Sequence, residues 1–391
     1  MTTPGALQAK GLSIFSGPAL AATQHGPEFA EFGRRAELWQ QEDAAVGRFW
    51  LASVRLPATV NEAEGWVQNG LGRDIQVRNQ AGVIVWEGFV DVVNVSIGPL
   101  NVKVGPLLDI GNRVSVVYAP LDTTVNPPTI GARTVTTIAE DTDSQAKYGI
   151  IEKVVSAGTT TTTDAEQVRD TFLAQRANPE VTQQLNFGSQ EAVMVNLDLK
   201  GYVHWFNAYV YTQIANSGTS ALSTVLAAVI DADPNSLFAS TNADIETNAL
   251  LVPPFENSEN FAWAFIKDLI AQGDASDNRY LFRVGPGQKI TYSQVPTEIE
   301  YFQRLSSKNL QVETLRQSRV EPWDVEAGKW LRFVDFMVTA TDISDFLADS
   351  RVMFVENVRF STPDTLILTG GKTDKVGAAL AKISAMSGMF G

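Results

Sequence analysis

The chain is predicted to be a β-rich α+β protein, and three observations carry that prediction. Short aromatic and β-branched runs recur between Gly-, Pro- and Asn-containing turns through residues 49–118 and again through 329–369. Only a few stretches between them show a 3.6-residue apolar period. Hydrophobic residues make up 44% of the 391 and charged residues 19%, with no Cys, so packing or assembly must hold the fold without disulfides.

The elements follow in order. Phe49–Leu56 is a strand ended by Pro57, and Asp74–Asn79 is a strand with Ile75 and Val77 on one face. Val83–Ile97 is a long strand, apolar on both faces, with Gly88 at a bulge or a close backbone approach. Asn101–Val104 and Asn112–Tyr118 continue the sheet, and Thr123–Gly131, with Pro127-Pro128, is a linker or crossover. Thr134–Ile138 and Ile150–Val155 are strands around a polar turn. The run Thr159–Thr163 leads into a helix with Thr163 and Glu166 at capping-box spacing and Ala165, Val168 and Phe172 as its apolar stripe. Val181–Phe187 and Ala192–Leu199 return to strand, before an aromatic stretch from Tyr202 to Tyr211. Leu222, Val225, Leu226, Val229 and Ile230 define one helix, stopped before Pro234. Glu259–Gln272 is a second, with Ser258 as N-cap and Gly273 as its stop. Tyr280–Val284 and Lys289–Tyr292 form a hairpin; Lys329–Val338, Arg351–Phe360 and Thr365–Thr369 are late strands, and 372–391 is a short helix or an arm. No period of 20–50 residues repeats, which excludes solenoids and propellers.

Composition also narrows function. The only histidines are His25 and His204, so the usual acid–base, nucleophilic and metal-ligand residues are nearly missing. The chain is therefore expected to hold or assemble, not to catalyse; no catalytic, cofactor-binding or metal-ligating residue is nominated, and no cofactor is implied. Lys and Arg number 30 against 44 Asp and Glu, a net charge of −14, which argues against sequence-reading nucleic-acid binding. No run reaches the roughly 18–20 apolar residues of a membrane helix, and residues 11–22 are too diluted by Ser, Gly and Pro for a signal peptide.

Several patterns mimic chemistry. Thr369-Gly370-Gly371-Lys372-Thr373 follows a strand as a phosphate-binding loop does, but its required earlier glycine is Leu366. Gly285-Pro286-Gly287 is a hairpin turn, and Asp141/Asp143 and Asp231/Asp233 lack the glycine and spaced glutamate of a calcium loop. Trp39, Trp50 and Trp86 are expected in the core, with Trp205, Trp323 and Trp330 as candidate interface anchors.

Three stretches carry a resemblance. The first is Val85-Trp86-Glu87-Gly88-Phe89-Val90-Asp91, followed by Val104-Gly105-Pro106-Leu107-Leu108-Asp109 and Asn112-Arg113-Val114. The second is Tyr148-Gly149-Ile150-Ile151-Glu152 and the helix carrying Asp170 to Ala177. The third runs from Val320-Glu321-Pro322-Trp323 through Asp324 to Gly328-Lys329-Trp330. Together they resemble the baseplate-hub or central tail-tip proteins of tailed bacteriophages.

The resemblance implies two tail-tube-like β-barrel domains with smaller α/β inserts, the barrels not necessarily continuous in sequence, so that late strands such as Lys329–Val338 complete an early barrel. It divides the chain into 1–125, a barrel-like domain; 126–200, a linker and α+β region with second-barrel strands; 201–305, an α+β insert; and 306–391, closing strands and an arm. It further implies a homotrimer in the virion's tail tip, assembled in the host cytoplasm, that adapts a six-fold tube to a three-fold tip and lets DNA pass. Its partners would be the tail tube or distal tail protein, the tape-measure protein, and tail fibre or spike proteins. The rival readings are a hexameric distal or minor tail protein, a carboxylate-dependent cell-wall or polysaccharide hydrolase, and a carbohydrate-binding β-module using exposed Trp.

Overall fold

The structure is a computed structural model describing residues 12–19, 30–31, 36, 38–186, 192–211, 220–252, 260–303, 312–314, 319–333, 352–361 and 365–371. His25, Ser258, residues 334–338 of the expected late strand and the segment 372–391 lie outside the described residues.

The strand Ile84–Ile97 organises the fold. Its apolar residues on both faces predict burial on both, and Val85 to Val93 are all buried. On one side it pairs antiparallel with Met194–Gly201. On the other it pairs with Arg73–Asn79 through its first half and Leu100–Val104 through its second. Gly88 is a close approach: a Cβ there would sit 2.2 Å from the carbonyl oxygen of Lys200 and 2.5 Å from the Trp86 ring. The bulge falls instead at Asp91, which the register skips between Val90 and Val92.

From this strand the main sheet of 18 strands spreads across the whole sequence. Met194–Gly201 also pairs with Gly47–Pro57, which pairs with Leu38–Ala44. Leu38–Ala44 in turn pairs with Val352–Ser361, joining Gln40 to Ser361 across the length of the chain. Trp330–Phe333 lies on the other side of Val352–Ser361, and Thr365–Gly371 closes as its hairpin partner. Because that last strand continues through Gly370, where a Cβ would strike the carbonyl of Phe354 at 1.8 Å, the Thr369–Thr373 pattern begins inside a strand and forms no phosphate loop there.

Two cores result. The larger lies between the early strands and the helices Leu222–Asp231 and Ala262–Gln272, with the Tyr202–Asn207 turn in its middle. There Phe206 stacks on Phe238 at 4.7 Å, and Tyr209 donates its hydroxyl to the Val229 carbonyl at 3.0 Å. The five predicted apolar positions of the first helix are all buried, each contributing roughly 1.5–3 kcal/mol relative to exposure. Gly273 ends the second helix at φ 65°, a conformation that favours glycine. A smaller core gathers Tyr301, Val312, Val325, Trp330 and Phe354 under the late strands.

Residues 113–176 form a separate five-stranded sheet, with Glu152–Thr160 parallel to Arg113–Asp122 and the helix Thr162–Arg176 against them. Three readings change here. The helix is capped by Thr161, which accepts from the Asp164 N–H at 3.2 Å, not by Thr163, and Val168 points outward. Thr123–Gly131 is the tip of a hairpin, with Thr129–Ile130 returning along Leu121 and Asp122. The polar turn holds a helix, Thr142–Tyr148, capped by Asp141. One further helix, Val60–Asn69, is not announced by apolar periodicity, since only Ala63 is buried. Its capping box, Thr59 with Glu62, is nevertheless readable in the sequence.

Candidate assembly surfaces

Among the described residues, several buried carboxylates hold strands and loops together. Asp74 and Glu87 sit on adjacent strands, two residues out of register, and are only 5% and 3% exposed. The Tyr202 hydroxyl donates to Asp74; Gln76 Nε2 and the Gly287 N–H donate to the two Glu87 oxygens at 2.7 and 2.6 Å. Burial, opposed by the Tyr202 hydrogen bond and aided by the Glu87 charge, raises Asp74 from 3.8 to about 7. Burial likewise raises Glu87. This is the carboxylate pair that sequence reasoning did not nominate, because Asp74 and Gln76 alternate with Ile75 and Val77 as a solvated face would. Three of its four oxygens are hydrogen-bonded to groups of the chain itself.

Asp91, in the bulge, accepts from the Leu108 N–H at 3.2 Å and pairs with Lys200 at 2.8 Å, pinning the Val104–Asp109 segment to the central strand. A second buried cluster joins three distant parts of the chain. Arg283 lies 3.9 Å from Asp43 and 3.7 Å from Glu326 and donates to the Ala327 carbonyl at 2.9 Å, while Arg48 pairs with Glu326 at 2.7 Å. Burial outweighs both arginines and raises Asp43 to about 6.

His204 packs against Trp50 with ring centroids 4.3 Å apart; burial, then the Lys200 charge, lowers it to about 4, so it is a neutral core histidine. Asp141 caps a helix, Asp231 accepts from Ser240, and Asp233 accepts from the Asn235 and Leu237 N–H groups. Among the described residues no group of three His, Cys, Asp or Glu could hold a metal, and no helix is long and apolar enough to cross a membrane. The tryptophans also turn inward. Trp39, Trp86, Trp205 and Trp330 are buried, and Trp50 and Trp323 pack against the larger core, so Trp205 and Trp330 are not exposed anchors.

Two strand edges carry exposed apolar side chains. Residues 129–140 run back along Arg113–Asp122 through three short pairings, and among the described residues no further strand pairs with their outer side, although Arg169 donates to the Thr137 carbonyl there at 3.0 Å. Ile130, Val135 and Ile138 on this arm are 64%, 43% and 51% exposed. The strand Val181–Leu185 pairs only with Leu100–Val104 among the described residues, and all five of its residues are exposed. Beside it lies a cleft of about 410 Å³ lined by Val67, Leu71, Val104, Tyr148, Pro179 and Val181, with Lys147 at its polar side. Unpaired edges carrying apolar side chains are templates for another strand, and single-chain proteins normally blunt them with charge or Pro.

No family model matches the sequence, and no curated protein matches it. Among solved structures, the prophage MuSo2 43 kDa tail protein from Shewanella oneidensis aligns over 94% of this chain and 98% of its own, at 6% identity and a TM-score of 0.39. An E. coli protein, c3393, aligns over 87% of this chain and 74% of its own, at 6% identity and a TM-score of 0.42. It is described as a component of the type VI secretion system with structural similarity to the T4 bacteriophage tail proteins gp27 and gp5. Both likenesses lie below the score at which a common fold follows.

Proposed function

We propose that this chain is a structural subunit of a phage tail tip, the hub that continues the tail tube, built as a homotrimer with two barrel-like domains per copy. The observation that carries the assembly part is the pair of exposed strand edges bearing apolar side chains. The tail-tip part rests on the three-stretch resemblance. In that role the chain has no reaction to perform; it joins the tube or distal tail protein to the tape-measure and fibre or spike proteins. Its excess of 14 negative charges suits a passage through which DNA slides without capture.

Mass in solution across a concentration series tests this reading. A species near three times 42.5 kDa is expected. A hexamer would move the assignment to a distal tail ring, and a monomer that cleaves cell-wall polysaccharide would overturn it.

A further inference from the structure

We propose that the ring closes head to tail, the outer edge of Val181–Leu185 in one copy pairing with the outer side of the 129–140 arm in the next. This rests on the assembly reading above and names the surfaces through which it operates.

Charge selects the occupant. Copies that each carry −14 repel wherever their acidic surfaces approach. Residues 123–139 and 181–190, however, contain no Asp or Glu, although the chain has 44. These acid-free stretches cover all of Val181–Leu185 and the arm except Glu140, which pairs with Arg113 at 3.1 Å, so facing one against the other lowers the repulsion where contact is closest. Nucleic acid fits neither: residues 181–190 hold no Lys or Arg, and the arm has Arg133 alone.

The chemistry of the edges matches. Each offers main-chain N–H and C=O groups that no strand among the described residues takes up, the Thr137 carbonyl held by Arg169 excepted, and strand addition draws its affinity from such groups and its specificity from pockets for side chains. The cleft beside Val181 supplies such a pocket, mostly apolar, with Gln68, Asn69 and Lys147 as its polar lining. The arm supplies isoleucines at 130 and 138 that are more than half exposed among the described residues. Because the two edges are different surfaces of one chain, their contact is heterologous, and heterologous contacts that close make rings.

The chain has no Cys, so introduced thiols report without background. Gln183→Cys and Val135→Cys each alter an exposed residue and leave both cores intact. The expected result under oxidation is a covalent dimer only when the two single variants are mixed, and a ladder ending at the trimer when one chain carries both. Leu185→Glu should raise the concentration for half-dissociation at least about tenfold, roughly 1.4 kcal/mol. Cross-linking of either single variant to itself would overturn the head-to-tail pairing. A trimer by mass with no cross-link in any combination would overturn this pairing and leave the hub reading standing. A monomer at every concentration, again with no cross-link, would sink both.

Discussion

Replacing Asp74 by Asn should stabilise the protein at neutral and alkaline pH, although Asp74 is buried and hydrogen-bonded. The side chain is raised from 3.8 to about 7, chiefly by burial. A group that binds its proton more tightly folded than unfolded loses stability as pH rises through that interval. The difference, 7 minus 3.8, is 3.2 pK units, which at 1.36 kcal/mol per unit makes the ionised form about 4 kcal/mol costlier to bury than the protonated one. Asn keeps the shape and still accepts from the Tyr202 hydroxyl, but carries no charge at any pH. Urea denaturation at fixed protein concentration, at pH 4, 6 and 8, should therefore show the variant ahead by about 2–4 kcal/mol at pH 8. The gain should fall toward zero at pH 4, where wild-type Asp74 is protonated. A variant less stable than wild type at pH 8, or a difference constant from pH 4 to 8, would refute the reasoning.

Three other perturbations probe the same interior. Arg283→Met strips Asp43 and Glu326 of their shared cation and should cost about 3–5 kcal/mol in denaturation midpoint terms; adding Asp43→Asn should recover part of it. Gly88→Ala drives a methyl into the Lys200 carbonyl and should cost several kcal/mol by the same measurement, with lost amide-exchange protection in 194–201. His204, lowered to about 4, contributes with the opposite sign to Asp74: its stability is present above the unfolded value of 6.5 and lost as pH falls toward 4. His204→Phe should flatten that acid-side loss in a pH series of midpoints.

The strands and the two apolar helices were legible because their patterns repeat what their surroundings demand. Leu222 to Ile230 is a stripe at 3.6 spacing, and Ile84–Ile97 reads as two-sided because both of its faces are covered. The acidic pair Asp74 and Glu87 was not legible. Alternation of polar and apolar residues along 74–77 signals one solvated face, and nothing local reveals that Tyr202 and the 285–288 turn cover it. Helix Val60–Asn69 is missed for the converse reason: its polar faces stay in water, and only the cap at Thr59 marks it. The exposure of Val181 and Leu185 was equally hidden, since a strand's spacing is the same whether its second neighbour belongs to its own chain or to another.

The pairing of Leu38–Ala44 with Val352–Ser361 gives synthesis a clock. Gln40 meets Ser361 only after 321 further residues have been made. At 5–20 residues per second this is roughly 15–60 s during which one early strand waits on the ribosome with an open side. Until its partner emerges, that strand is a third template for strand addition, facing the same kind of neighbour as the two permanent edges. A copy that met another copy too early would be joined through the wrong strand. Neighbouring nascent chains are therefore a hazard that the finished protein no longer presents, and expression should yield more soluble protein when initiation is made rarer so that nascent chains stay dilute.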